Sequence, residues 1–411
     1  MPGAQSIVDK YPVIDIDTHI SEPEDLWTSR VSSKWGDLIP HVEKCGVERA
    51  TKLGDRNELG VNFSLQPEDD IWIIDRKPFM PTAYMAWAGQ NAPHPKHAPT
   101  LAEVPEAGSY DPHARLKAMD EMGVHAMLHF PNLNISGGNQ HGRLAQKEPQ
   151  LALECVRAYN DFLTEWCSAD PKRLLAQMAL PLWDMDESLK ELDRAAKMGH
   201  KAVLMSGQPD GLGLPWLPDR HWDPLWAAAE EAGLPIAFHI AADAGVRIWP
   251  GHDNFAALMQ LSATMFMGNA FCIADLIFGG VCHRFPKLNF VSVESGIGYL
   301  PFLIDSMDWQ FLNQGGSEQH PEWDLKPSEY FKRQIYGSFW FEDESALRII
   351  DLIQDNVMYE TDYPHPTSIS PGPLPWCRDA RTDLENKFAG FDDAIVRKVL
   401  HDNAARIYNL D

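Results

Sequence analysis

Eight short runs rich in β-branched and aromatic residues recur along the chain, most of them separated by helical patterns. They are 13–17, 124–130, 174–179, 202–205, 235–239, 288–293, 334–340 and 356–361. Strands alternating with helices imply successive βα units and a parallel sheet. Eight such units with a closing helix predict an α/β fold, a (β/α)8 TIM barrel. A doubly wound open sheet is the alternative, but no G-x-G-x-x-G follows the first run. Helix punctuation agrees with the barrel. Asp223-Pro224 opens a helix that ends at Gly233, Asp186 opens one that closes at Gly199, and Asp392 opens a last one running to about Tyr408.

One stretch does not fit a simple unit. Residues 20–122 occupy over a hundred positions where a βα connection needs a few dozen, with eight prolines from Pro67 to Pro112 and tryptophans at 72 and 87. Long connections of this kind commonly form lids or interface arms. We therefore expect residues 1–411 to form one barrel domain, with 20–122 as an insertion or lid on the catalytic face. Part of residues 60–110 is expected to cover the pocket or meet a partner subunit.

The surface chemistry narrows the function. The chain carries 35 basic and 59 acidic residues, a net charge of −24. Such a surface repels phosphate backbones and anionic headgroups, so neither nucleic acid nor membrane is an expected partner. No apolar run reaches the roughly 18 residues of a membrane span. The N-terminal stretch lacks a signal-peptide core. Six cysteines without a C-x-x-C read as reduced thiols of a cytoplasmic protein.

Barrel enzymes place their chemistry at the C-terminal ends of the strands. Strand one ends Asp15-Ile16-Asp17-Thr18-His19, strand five in Phe238-His239, strand six in Val293-Glu294 and strand eight in Tyr359-Glu360-Thr361-Asp362. Alternation places Asp15, Asp17 and His19 on one face of strand one, toward the barrel mouth, and Ile14 and Ile16 toward the surrounding helices. Carboxylates and imidazoles buried together without a counter-charge cost several kcal/mol per charge. A divalent cation removes that cost, and Asp17, His19, His239 and Asp362 form a set suited to Zn²⁺, Mn²⁺ or Fe²⁺. Asp15 reads as a structural acceptor and Glu360 as pointing away from Asp362. His365 is placed to orient a ligand or touch substrate. Arg247 could pair a substrate carboxylate, Glu22 could shape the pocket mouth or cap a turn, and Trp27 could line an apolar pocket.

These stretches resemble the amidohydrolase-related family, the branch with aminocarboxymuconate semialdehyde decarboxylase and the metal-dependent benzoate-type decarboxylases. The resemblance is carried by VIDIDTHISEPEDLW (13–27), DPLWAAAEEAGLPIAFH (223–239), FPKLNFVSVESGIGYLP (285–301) and YETDYPHP (359–366). It implies metal ligands at Asp17, His19, His239 and Asp362, and it favours a homodimer. Where many members carry H-x-H this chain has Asp17-Thr18-His19, a harder set that admits Mn²⁺ beside Zn²⁺, the first expectation. Members of the decarboxylase type carry a catalytic histidine where this chain has Glu294. Strand four ends Val203-Leu204-Met205-Ser206-Gly207, without the lysine or glutamate that bridges two metals in dinuclear relatives, which implies one metal. The expected activity is decarboxylation of an aromatic or unsaturated carboxylic acid, with Asp362, Glu294 and His365 as the catalytic candidates and a small molecule as substrate. The alternative is hydrolysis of an ester, lactone or amide by metal-activated water.

Overall fold

The computed structural model describes residues 6–46, 66–91, 100–133, 139–240, 254–343 and 347–410. β1 (Val13–Ile20) is followed by a small antiparallel sheet of β2 (His41–Lys44), β3 (Asp70–Ile74) and β4 (Lys77–Pro81). The strands expected from the other seven runs come next: β5 (Val124–Pro131), β6 (Leu174–Ala176), β7 (Val203–Met205), β8 (Ile236–His239), β9 (Phe290–Val293), β10 (Ile335–Phe339) and β11 (Val357–Tyr359).

β1, β5 and β6 pair in parallel, and so do β7 through β11 in chain order. Two bridges join the sets. Met178 meets Val203, and Thr18 meets Tyr363, beside which the Asp362 N–H donates to the Asp17 carbonyl at 3.0 Å. The eight parallel strands thus close into a ring, which leaves no sheet edge open. The long connection from β1 to β5 carries the β2–β4 sheet and then the helix Pro112–Met122, which Asp111 caps by accepting from Ala114 N at 2.7 Å.

Ile14 and Ile16 share a buried cluster with Ala126, Leu128, Val291, Val293 and Met358, contributed by strands around the ring. This cluster is the barrel interior, so the expectation that Ile14 and Ile16 face the helices is corrected. The cause is a register slip between Asp15 and Thr18, the extra residue of a bulge. Below it Asp15 lies beside Met127, whose side chain packs outside the ring. Above it Asp17 and His19 turn into the mouth.

Two helix starts also differ from expectation. Asp184, not Asp186, caps the helix Met185–Lys197 by accepting from Glu187 N. Asp223 begins the helix Asp223–Ala232 but spends its carboxylate on Arg284 and Arg220. Gly233, at φ 66°, ends that helix as expected, and Asp392 caps the helix Asp393–Arg397. The cysteines are all free, and five of the six are buried. Met259–Phe278 is long and apolar enough to cross a membrane by length and composition. This corrects the expectation that no run reaches that length, which Gln260, Ser262, Thr264, Asn269 and Asp275 obscure by interrupting the stretch. Cys272, Ile273, Leu276 and Ile277 on its inner side pack into the core.

Candidate metal centre

The mouth of the ring brings Asp17, His19 and His239 together with Glu294, and sets Asp362 and His365 beside His19. His19 Nε2 and His239 Nε2 face each other at 3.1 Å. Asp17 lies 3.4 Å from each imidazole, through Oδ1 to His19 and Oδ2 to His239. Asp362 Oδ1 is 3.6 Å from His19 Nε2, and Glu294 Oε2 is 3.2 Å from His239 Nε2. His239 directs Nδ1 at the Ile240 carbonyl at 2.6 Å, so Nδ1 carries the proton and Nε2 offers its lone pair to the centre. Both Asp17 oxygens and Asp362 Oδ1 are buried and accept no hydrogen bond. Buried carboxylate oxygens without donors are costly. Metal–ligand bonds of about 2.0–2.2 Å set neighbouring tetrahedral ligands roughly 3.3 Å apart, which matches these spacings. The residues present fit a divalent cation.

The electrostatics carry the same message. Burial lowers the His239 imidazole, but Asp17 and Glu294 outweigh it and push its pKa up to about 10, so that without a metal Nε2 holds a second proton where the ion would bind. Burial and then Asp17 push the Asp362 carboxyl well above the usual range. Burial and then Asp362 do the same to Glu294. His365 is pushed down to about 3, chiefly by burial. Its Nδ1 lies 2.8 Å from Asp362 Oδ1, and its ring stacks on His19 at 3.7 Å. Its other nitrogen lies 2.8 Å from Asn132 Oδ1, while Asn132 Nδ2 donates to the Ile20 carbonyl. That bond makes Oδ1 the acceptor and puts the His365 proton on Nε2, so neutral His365 turns a lone pair to Asp362.

The sequence model of the Amidohydrolase family matches residues 135–410. The chain belongs to the amidohydrolase family. Over 263 residues it is 26% identical to a gamma-resorcylate decarboxylase of Rhizobium sp. (strain MTP-10005), covering 61% of this chain and 76% of that one. The crystal structure of an amidohydrolase from Mycobacterium avium subsp. paratuberculosis K-10 superposes with a TM-score of 0.71 at 21% identity, covering 97% of this chain and 99% of the other. The manganese-bound 5-carboxyvanillate decarboxylase of Novosphingobium aromaticivorans superposes with a TM-score of 0.61 at 15% identity, covering 97% of each chain.

In this amidohydrolase the remaining site candidates fare differently. Asp15 is the structural acceptor expected: it takes hydrogen bonds from Thr361 N, Thr361 Oγ1 and Asp17 N. Burial pushes its carboxyl up to about 8, against the opposing Thr361 hydroxyl. Glu360 does not point away: it lies just past the end of β11 and is fully buried. Its Oε2 accepts from Glu294 N at 3.2 Å beneath the centre. Trp27 does not line the pocket. It is fully buried, donates to the Cys155 carbonyl and packs edge-on against Trp72 in the core. Glu22 does not face a substrate either, since Oε1 accepts from Asn132 N and Leu133 N in the loop after β5. Arg247 lies outside the described residues.

Sequence reasoning missed Asn132 and Arg115. Arg115 is fully buried, donates to the His19 carbonyl at 2.5 Å and the Gly108 carbonyl at 2.6 Å, and lies over the Tyr363 ring. It pins the backbone that presents His19. The capped helix beginning at Pro112 held the signal, because Arg115 shares its buried stripe with Met119 and Met122.

Proposed function

We propose that this chain is a divalent-metal-dependent decarboxylase of aromatic carboxylic acids that carry a neighbouring hydroxyl group. The observation that carries the reading is the buried cluster of carboxylates and imidazoles at the barrel mouth, with His365 Nδ1 2.8 Å from Asp362 Oδ1 beside it. The decarboxylase names of the relatives support it, as does the manganese in the 5-carboxyvanillate enzyme.

Asp17, His19, His239 and Asp362 would hold the ion. When bound, it supplies Lewis-acid polarisation of the substrate carboxylate and adjacent oxygen. Phe130, whose ring lies 4.8 Å from His239 and 5.9 Å from His19, sets an apolar surface beside the two imidazoles. The Asp362 carboxyl donates its proton to the ring carbon that bears the carboxylate. The carbon–carbon bond then breaks, its electron pair returns to the ring, and carbon dioxide leaves. Asp362, left as carboxylate, regains a proton from solvent. His365, tied to Asn132, orients the Asp362 carboxyl throughout.

One observation favours hydrolysis instead: Glu294 stands beside His239, where a carboxylate could orient an attacking water. Hydroxybenzoates and aryl esters assayed in ¹⁸O-labelled water separate the two. Carbon dioxide release with no label in the organic product supports decarboxylation, and label in a newly formed carboxylate overturns it.

A further inference from the structure

We propose that Glu294 is a fifth ligand of the metal centre, completing a set of three carboxylates and two imidazoles that prefers Mn²⁺ to Zn²⁺. The inference rests on the reading of the mouth cluster as a metal site.

Glu294 Oε2 is 3.2 Å from His239 Nε2, and one donor atom each from Asp17, His19, His239 and Glu294 fall within 4.8 Å of one another. Strand geometry alone would not bring it there. Val293 points into the barrel, so alternation sends the next residue outward. Glu294 instead has φ 55°, in the left-handed region that a side chain with a Cβ rarely adopts. Asp362, a ligand of the same centre, has φ 61°. Both acids are turned into the mouth by the same unfavourable backbone, as strained residues at functional sites are.

The turn is braced to keep that geometry. Glu294 N donates to Ser338 Oγ at 3.1 Å and Glu360 Oε2 at 3.2 Å. Glu342 accepts from Ile297 N at 2.6 Å and holds the far end of the turn. The Glu294 side chain is 11% exposed, and among the described residues its only charged partner within ion-pair distance is His239. With His239 neutral and bound to the ion through Nε2, the Glu294 carboxylate has the metal as its counter-charge.

The donor set decides the metal. Zn²⁺ favours four ligands rich in nitrogen and sulfur, whereas oxygen-rich sets of higher coordination suit Mn²⁺. Glu294 adds both an oxygen and a coordination position. It then serves as neither the proton donor nor the water-orienting base of the two readings above.

The test is calorimetric titration of the chelator-stripped chain with MnCl₂ and ZnCl₂. Glu294→Gln should weaken Mn²⁺ at least about 10-fold, the lower range for disturbing a metal site, and Zn²⁺ less. Glu294→His restores a nitrogen donor and should bind Zn²⁺ tightly while Mn²⁺ stays weak, which also guards against a Gln variant that fails to fold. The visible absorption of Co²⁺-loaded Glu294→Gln should intensify as the coordination number falls. Unchanged Mn²⁺ affinity with an unchanged Co²⁺ spectrum overturns the ligand role. Asp17→Asn and His239→Ala separate the two levels. If they lose metal and Glu294→Gln does not, the fifth ligand falls alone. If they too bind metal as the parent does, the metal-centre reading falls with it.

Discussion

Asp362 is asked to do two things that pull on the same carboxyl, ligation and proton transfer, and substitutions can separate them. Removing a ligand should empty the site. Asp362→Ala and His239→Ala are expected to carry less than a tenth of the divalent metal bound by the parent, about one ion per chain, as read by elemental analysis. Full metal content in both variants would contradict the assigned set. His365 acts through Asp362, so its loss should look different. His365→Phe keeps a ring against His19 while removing the nitrogen 2.8 Å from Asp362. Its kcat is expected to fall about 10-fold with metal content unchanged, the scale of an outer partner's contribution. Loss of metal in that variant would make His365 a ligand. The four candidate ligands could be placed from the sequence because each falls near or just beyond the C-terminal end of a barrel strand. Glu294's part in the cluster was not, because a left-handed φ leaves no mark in the residue pattern.

Between elements, the loops after β1 and β5 are tied by Glu22, whose carboxylate binds two backbone amides beside Asn132. Burial pushes its pKa from 4.5 up to about 7, against those amides. An acid whose folded pKa is raised makes the folded state bind the proton more tightly than the unfolded chain. Stability is therefore full below about pH 4.5, declines as pH rises to about 7, and is flat above. At about 1.4 kcal/mol per pH unit, the loss is bounded at about 3.5 kcal/mol. Glu22→Gln keeps an acceptor for both amides and cannot ionise. Urea unfolding of parent and variant at pH 5 and pH 8 should show the variant gaining on the parent at the higher pH. Equal pH dependence would refute this. The eight barrel strands were legible from their apolar runs, and the helices from their Asp, Pro and Gly punctuation. The slip in β1 was not, because a bulge shifts alternation by one residue without changing composition, and that shift reversed the assignment of Ile14 and Ile16.

At the scale of the whole molecule, several large apolar side chains are exposed on two helix systems that pack together. Met259, Met267 and Phe271, on the helices after β8, and Phe302, Trp309 and Leu312, on the helix after β9, are 50% to 80% exposed. The two helix systems pack together, with Phe266 5.1 Å from Tyr299 at their junction. At roughly 175 Å² per large apolar side chain, these six leave about 700 Å² uncovered. A standard interface buries about 800 Å² per partner, and a monomer seldom leaves a larger patch exposed. Trp72 and Trp87, the aromatic residues that made 60–110 an interface candidate, are buried within the chain. We propose that a second copy of this chain covers the helical face in a two-fold dimer. A net charge of −24 disfavours an anionic membrane, while an apolar patch lets two acidic copies meet. Light scattering should give twice the chain mass of 46.3 kDa. Phe302→Glu combined with Leu312→Glu should give a folded monomer, because burying two new carboxylates at the interface outweighs what the apolar contact contributes. A monomeric parent would overturn the assignment, and so would flotation of the parent with phosphatidylcholine vesicles, which would give the face to a lipid surface instead.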